Sequence, residues 1–174
     1  RKVGLSTQQA SESFQVLFGS VSDFTMMSAS AREEMTKNAA VLASLGVSNE
    51  DFARGSQITI KAMAQTGAEA AKTQRELAAL AMDIGVAPQQ MGADFANAAP
   101  KLAKFGSDGV RAFKDLAVAA KVTGIAVDRL ISITDQFDTF EGAATAAGKL
   151  NAALGGNFVN AMELVTATDP VERM

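Results

Sequence analysis

Apolar residues recur every three to four positions along most of this chain. In GAEAAKTQRELAALAMDIGV, residues 67–86, Ala70, Leu77, Leu80, Ala81 and Ile84 fall on one helical face. Glu69, Lys72, Arg75, Glu76 and Asp83 occupy the polar side. The stretch SDGVRAFKDLAVAAKVTG repeats the pattern with Val110, Phe113, Leu116, Ala117 and Ala120. Pro88 suits the first turn of a helix, and Pro100 is expected to kink or end the same one. No segment reads as a strand. The fold class that follows is all-α.

The predicted helix ends repeat. Leu45-Gly46-Val47, Ile84-Gly85-Val86 and Thr123-Gly124-Ile125 each put a glycine before a β-branched residue, and the glycines are 85 − 46 = 39 and 124 − 85 = 39 residues apart. Such a glycine stops a helix by turning left-handed, and the apolar residue after it packs back on the last turn. Six residues after each glycine stands a large apolar side chain: Phe52, Met91 and Leu130. Gly67 and Gly106 keep the same interval, and one period earlier the phase falls on Ser28, a residue suited to capping. Consecutive helices broken by glycine at this period describe a helical hairpin or bundle module. The expected divisions are an N-terminal helix or linker over 1–27 and a repeat-like region over 28–141. A small-residue helix and the start of a further segment then occupy 142–174.

The stretch DQFDTFEGAATAAGKLNAALGGNF, residues 135–158, has its own character. Asp138 and Glu141 read as a capping box, so a helix is expected from Thr139 or Phe140 to Leu154, ended by Gly155 and Gly156. Ala144, Gly148 and Ala152 make a small-residue stripe beside an apolar one of Ala143, Ala147, Leu150 and Leu154. Phe137 and Phe140 are placed to pack at the junction, and Phe158 begins another apolar set with Met162 and Val165. A glycine in mid-helix costs about 1 kcal/mol against alanine, which calls for a packing reason. Small residues at this spacing let another helix backbone come close. That helix belongs either to the same chain or to an identical one, and spacing does not choose.

Composition narrows the chemistry. The 174 residues suffice for one domain with a core. Histidine, cysteine, tryptophan and tyrosine are absent, against 10 Phe and 8 Met. The commonest general base and the usual metal ligands are therefore missing, and neither a metal site nor a cofactor is expected. The acid pairs Glu33-Glu34, Glu50-Asp51 and Asp135 with Asp138 read as solvated faces or caps, Ser48 with Asp51 being close to a capping box. No phosphate-loop, dinucleotide or hydrolase motif appears. The net charge of −3 is dispersed, without the basic block of a nucleic-acid footprint. No apolar run reaches the length of a membrane helix. The chain opens on Arg1 and closes on DPVERM, and is expected to be part of a longer protein.

Residues 133–174 resemble a segment of the tail tape measure proteins of contractile-tailed bacteriophages. The resemblance rests on Phe137-Asp138-Thr139-Phe140-Glu141-Gly142, Gly148-Lys149-Leu150-Asn151, Leu154-Gly155-Gly156-Asn157-Phe158 and Ala167-Thr168-Asp169-Pro170. It implies a structural protein held as several identical chains, commonly a trimer, inside the tail tube of a virion. It further implies that its length sets tail length, that it touches tube and baseplate hub proteins, and that it leaves ahead of DNA; any membrane contact belongs to that ejection. No catalytic role transfers. A ruler would be one long helix, and the 39-residue breaks argue instead for a compact or articulated module attached to it. Two other readings compete: a helical-repeat binding module unrelated to phage, and a membrane-active translocator-like protein.

Overall fold

The computed structural model describes residues 6–135, 140–157 and 160–167, and in them the chain is all-α, with no strand. Short polar side chains start the helices. Ser6 opens α1 (Thr7–Ser20) by accepting the Gln9 N–H at 3.1 Å, while the Gln9 side chain takes the Ser6 N–H. Ser28 and Ser48 cap α2 (Ala29–Ala43) and α3 (Asn49–Ala62), and Thr66 with Glu69 forms a full capping box on α4 (Gly67–Asp83). Each cap satisfies a backbone donor that the first turn leaves unpaired. Pro88 stands in the first turn of α5 (Pro88–Leu102). Pro100 does not stop that helix where it stands. The helix runs two residues further and passes into a 3-10 turn over Ala103–Asp108. The described chain continues with α6 (Gly109–Thr123), α7 (Val127–Asp135), α8 (Phe140–Leu154) and α9 (Ala161–Thr166).

Gly46, Gly85 and Gly124 adopt φ of 92°, 68° and 72°, so each occupies the left-handed region that a side chain would strain. They follow α2, α4 and α6. At the first two, the next N–H reaches back across the turn, Val47 to the Leu42 carbonyl at 3.0 Å and Val86 to that of Ala81 at 2.7 Å. The third is simpler, with the Gly124 N–H on the Ala120 carbonyl at 2.9 Å. Val47 is buried, Val86 half-buried and Ile125 exposed, while Phe52, Met91 and Leu130 are all buried. The second glycine register is not one device. Gly67 packs beneath Met27 and Met35 at the start of α4, whereas Gly106 makes a left-handed bend, φ 55°, inside the 3-10 turn.

These turns fold each helix back on the one before, and the helices stack in two rows. One row is α2, α4, α6; the other is α1, α3, α5, α7. Two apolar clusters fill the space between them. Leu17, Val21, Phe24, Met35, Leu42 and Phe52 build the first, and Met63, Leu77, Phe95, Leu102, Phe113 and Leu116 the second. α4 joins them, giving Ala71 and Ala78 to one and Leu77 and Ala81 to the other. α1 therefore belongs to the same core as the repeat-like helices. Phe95 and Phe113 meet edge to face at 5.0 Å between centroids.

Ion pairs tie neighbours within a row. Arg75 of α4 reaches Glu34 of α2 at 3.8 Å, and Lys114 of α6 reaches Glu76 of α4 at 2.6 Å. The two cations are 114 − 75 = 39 residues apart. Lys121 caps across hairpins as well, donating to the Gly85 carbonyl at 3.0 Å.

Candidate functional site

α8 is an alanine-rich helix whose two sides differ. Ala143 and Ala147 are buried, whereas Ala144, Gly148 and Ala152 face outward. Among the described residues, a methyl group built on Gly148 would meet no atom within 4 Å. The helix ends at Gly155, φ 73°, with the Gly156 N–H on the Asn151 carbonyl at 3.1 Å. Among the described residues α9 is the one element on which α8 packs extensively. Between them runs an open groove of about 590 Å³, floored by Ala144, Ala147, Gly148 and Asn151 and walled by Asn157, Asn160 and Glu163. Asn151 donates to the Asn157 side chain at 3.0 Å, which fixes one wall. Phe137 and Phe158 lie outside the described residues, as does Asp138, and Phe140 is the first residue of α8.

One acid of each candidate pair has a structural partner. Ser48 donates to the Asp51 carboxylate at 2.8 Å and accepts the Asp51 N–H at 3.0 Å, and Arg54 pairs with the same carboxylate. Glu34 holds Arg75, and Asp135 holds Lys104 at 2.8 Å. Thr66, through its N–H and its hydroxyl, keeps the Glu69 carboxyl below the ordinary range. The Lys114 ammonium does the same for Glu76. Asp94 moves the other way. Burial raises it, against a hydrogen bond from Gln90 at 2.7 Å and with the like charge of Asp128 adding to the rise. Glu69 and Glu76 line one shallow open cavity of about 360 Å³ with Lys72, Thr73 and Ser107, where Thr66 and Lys114 already engage the two carboxylates. Among the described residues no group of three metal-ligating side chains converges.

A second surface was not legible in the helical pattern. Arg111, Asp115, Val118 and Val122 lie on one outward stripe of α6, with Val118 40% and Val122 80% exposed. The glycine turn beyond adds Ile125 at 39%. The spacing of three and four residues carries this information, but in the sequence the buried face of Phe113 and Leu116 accounts for α6. No protein-family model, curated protein or solved structure matches the chain. No helix among the described residues is long and apolar enough to cross a membrane.

Proposed function

We propose that this chain is a non-catalytic structural module of a phage tail tape measure protein, working in the tail tube of a virion. The observation that carries the reading is the open small-residue face of α8. Ala144, Gly148 and Ala152 stand exposed, with nothing against Gly148, inside the stretch whose text resembles that family. An exposed stripe able to take a helix backbone at close range suits assembly with identical chains or with tube and hub proteins. The acids support the same reading, because Asp51, Glu34 and Asp135, one from each candidate pair, are engaged in a cap or an ion pair. The folded-back hairpins favour an attached module over a stretch of continuous ruler. It rides in the tail and leaves with the rest of the protein ahead of DNA.

A second reading, a helical-repeat binding module unrelated to phage, is favoured by the two-row stack of hairpins joined through one core. Disrupting the gene in its parent genome separates the two. The tape measure reading expects missing tails or tails of uncontrolled length in electron micrographs, and peptides of this chain in purified wild-type tails. Normal tails after disruption, with no such peptides in them, overturn it in favour of the binding module.

A further inference from the structure

The polar ties between helices run in two directions. Those of α3 reach back to the start of the chain: Ser13 of α1 donates to Asn49 at 2.9 Å, the Gln57 amide bonds Ser22 at 2.9 and 3.0 Å, and Lys61 pairs with Asp23 at 2.6 Å. Those that hold α4 and its glycine turn come from α6, Lys114 to Glu76 and Lys121 to the Gly85 carbonyl. Across the division so outlined, between α1–α3 and α4–α7, the ties are few. Among the described residues no side-chain hydrogen bond or ion pair joins α3 to α4 or to α5. In the same residues a single ion pair links α2 to α4, Glu34 with Arg75 at 3.8 Å, and both of its side chains are nearly half exposed.

The apolar contacts divide at the same place. α4 gives the first cluster its smallest residues, Ala71 and Ala78, with Gly67 beneath Met27 and Met35, while its Leu77 lies in the second cluster. Among the described residues three buried side-chain atoms lack a hydrogen-bond partner: Asn38 Nδ2 of α2, Ser56 Oγ of α3 and Gln74 Nε2 of α4. All three are on helices that border the division. Gln74 lies over Gly55 of α3, and Asn38 shares an open cavity of about 340 Å³ with Arg75 of α4. A buried polar atom left unpaired costs stability that contact with water returns. The chain itself crosses at the α3–α4 turn, where Ala64 is held at φ 55°, a strained conformation for a residue with a side chain. What keeps the division closed is fit, Phe95 of α5 against Gly55 and Val47 against Gly92.

We infer that the hairpin array is two cooperative units, α1–α3 and α4–α7, and that it opens along the division between them. The first unit, with the smaller apolar cluster, detaches and unfolds as a block while the second keeps its Phe95–Phe113 core. Opening there breaks few polar ties and gives water to the three unpaired atoms. Such an event is a partial unfolding, lower in free energy than loss of the whole fold. It belongs to the folded array and does not rest on the tail reading.

Amide hydrogen exchange of the full chain, followed by mass spectrometry at urea concentrations below the main transition, tests it. Peptides of α1, α2 and α3 should exchange through one shared opening, at least about tenfold more often than those of α5 and α6. Two variants locate the division. Gln74→Met removes an unpaired donor at nearly constant side-chain length and should slow exchange of α1–α3 about threefold. Ile131→Val trims one methyl group inside the second cluster and should speed exchange of α5 and α6 while leaving α1–α3 as it was. One common exchange rate over α1–α7, shifted alike by Ile131→Val, overturns the inference in favour of a single unit. Protection that falls off hairpin by hairpin, with no step between α3 and α4, overturns it in favour of fraying from the ends. Faster exchange of α1–α3 in Gln74→Met would show that the amide holds the two units together, and overturns it as well. The wild-type pattern decides the matter even where a variant does not fold.

Discussion

Gly92 and Gly148 each sit inside an alanine-rich helix, α5 and α8, and are opposites in their surroundings. A Cβ on Gly92 would lie 2.9 Å from Cγ1 of Val47, which follows the first glycine turn. Gly55 is tighter still, 2.5 Å from Gln74 Nε2 and 3.0 Å from the Phe95 ring. These array glycines repay their cost in helix propensity through close approach. At Gly148 nothing among the described residues comes within 4 Å. The same residue is consumed by packing in the hairpin array and left unspent in α8. That contrast marks the array as a finished core and leaves the Gly148 side of α8 open among the described residues.

The contrast can be broken or sharpened by substitution. Phe113 is fully buried against Phe95, so Phe113→Ala should cost about 3–5 kcal/mol in urea unfolding. Leu150→Ala, at a site 45% exposed, should cost well under half of that. Gly92→Val, which drives a branched side chain into Val47, should lose roughly 2–3 kcal/mol. Gly148→Ala should do the reverse, raising the stability of α8 by up to about 1 kcal/mol, read by helical circular dichroism during melting. A loss at Gly148 would show a neighbour already in place and erase the distinction.

Acid should weaken the array, with a sign set by three carboxyls. Glu69 and Glu76 are lowered on folding, by Thr66 and by Lys114 respectively. The stability they lend is therefore whole above the ordinary Glu range and lost as pH falls through it. Asp94 is raised by burial, so its contribution is present below the ordinary Asp value and lost as pH rises through its folded value. Thermal melts should fall from pH 7 to pH 3 in the wild type. Asp94→Asn should melt higher than wild type at pH 7 and equal to it at pH 3. The smallest effect is expected at Ala64, a non-glycine residue at φ 55° beside the start of α4. Ala64→Gly relieves a left-handed strain of roughly 1 kcal/mol and loses most of that gain to the freer unfolded chain, for a net rise of a few tenths.

What the sequence disclosed was local. Serine caps, the glycine turns and the bounds of α8 are written in residues adjacent to the feature they make, because a cap or an αL turn needs only its neighbours. The rows were harder to see. That Arg75 meets Glu34 and Lys114 meets Glu76 depends on hairpins stacking, and a charged residue on a solvent face looks the same with or without that partner. Gln74 shows the limit most clearly. It reads as surface, yet it is buried over Gly55, where its Nε2 has no hydrogen-bond partner among the described residues. Val118 and Val122 were hidden for the converse reason. An apolar residue one turn from a buried face passes for part of the core until the missing neighbour is known.

If the proposed tape measure reading holds, the most direct test of the account is tail length after removing one hairpin period, residues 47–85, from the phage that would carry it. A compact module attached to the ruler predicts tails of unchanged length in electron micrographs, or none where the module is needed for assembly. Tails shorter by about 58 Å, the rise of 39 helical residues at 1.5 Å each, would make this segment part of an extended ruler and contradict the folded array.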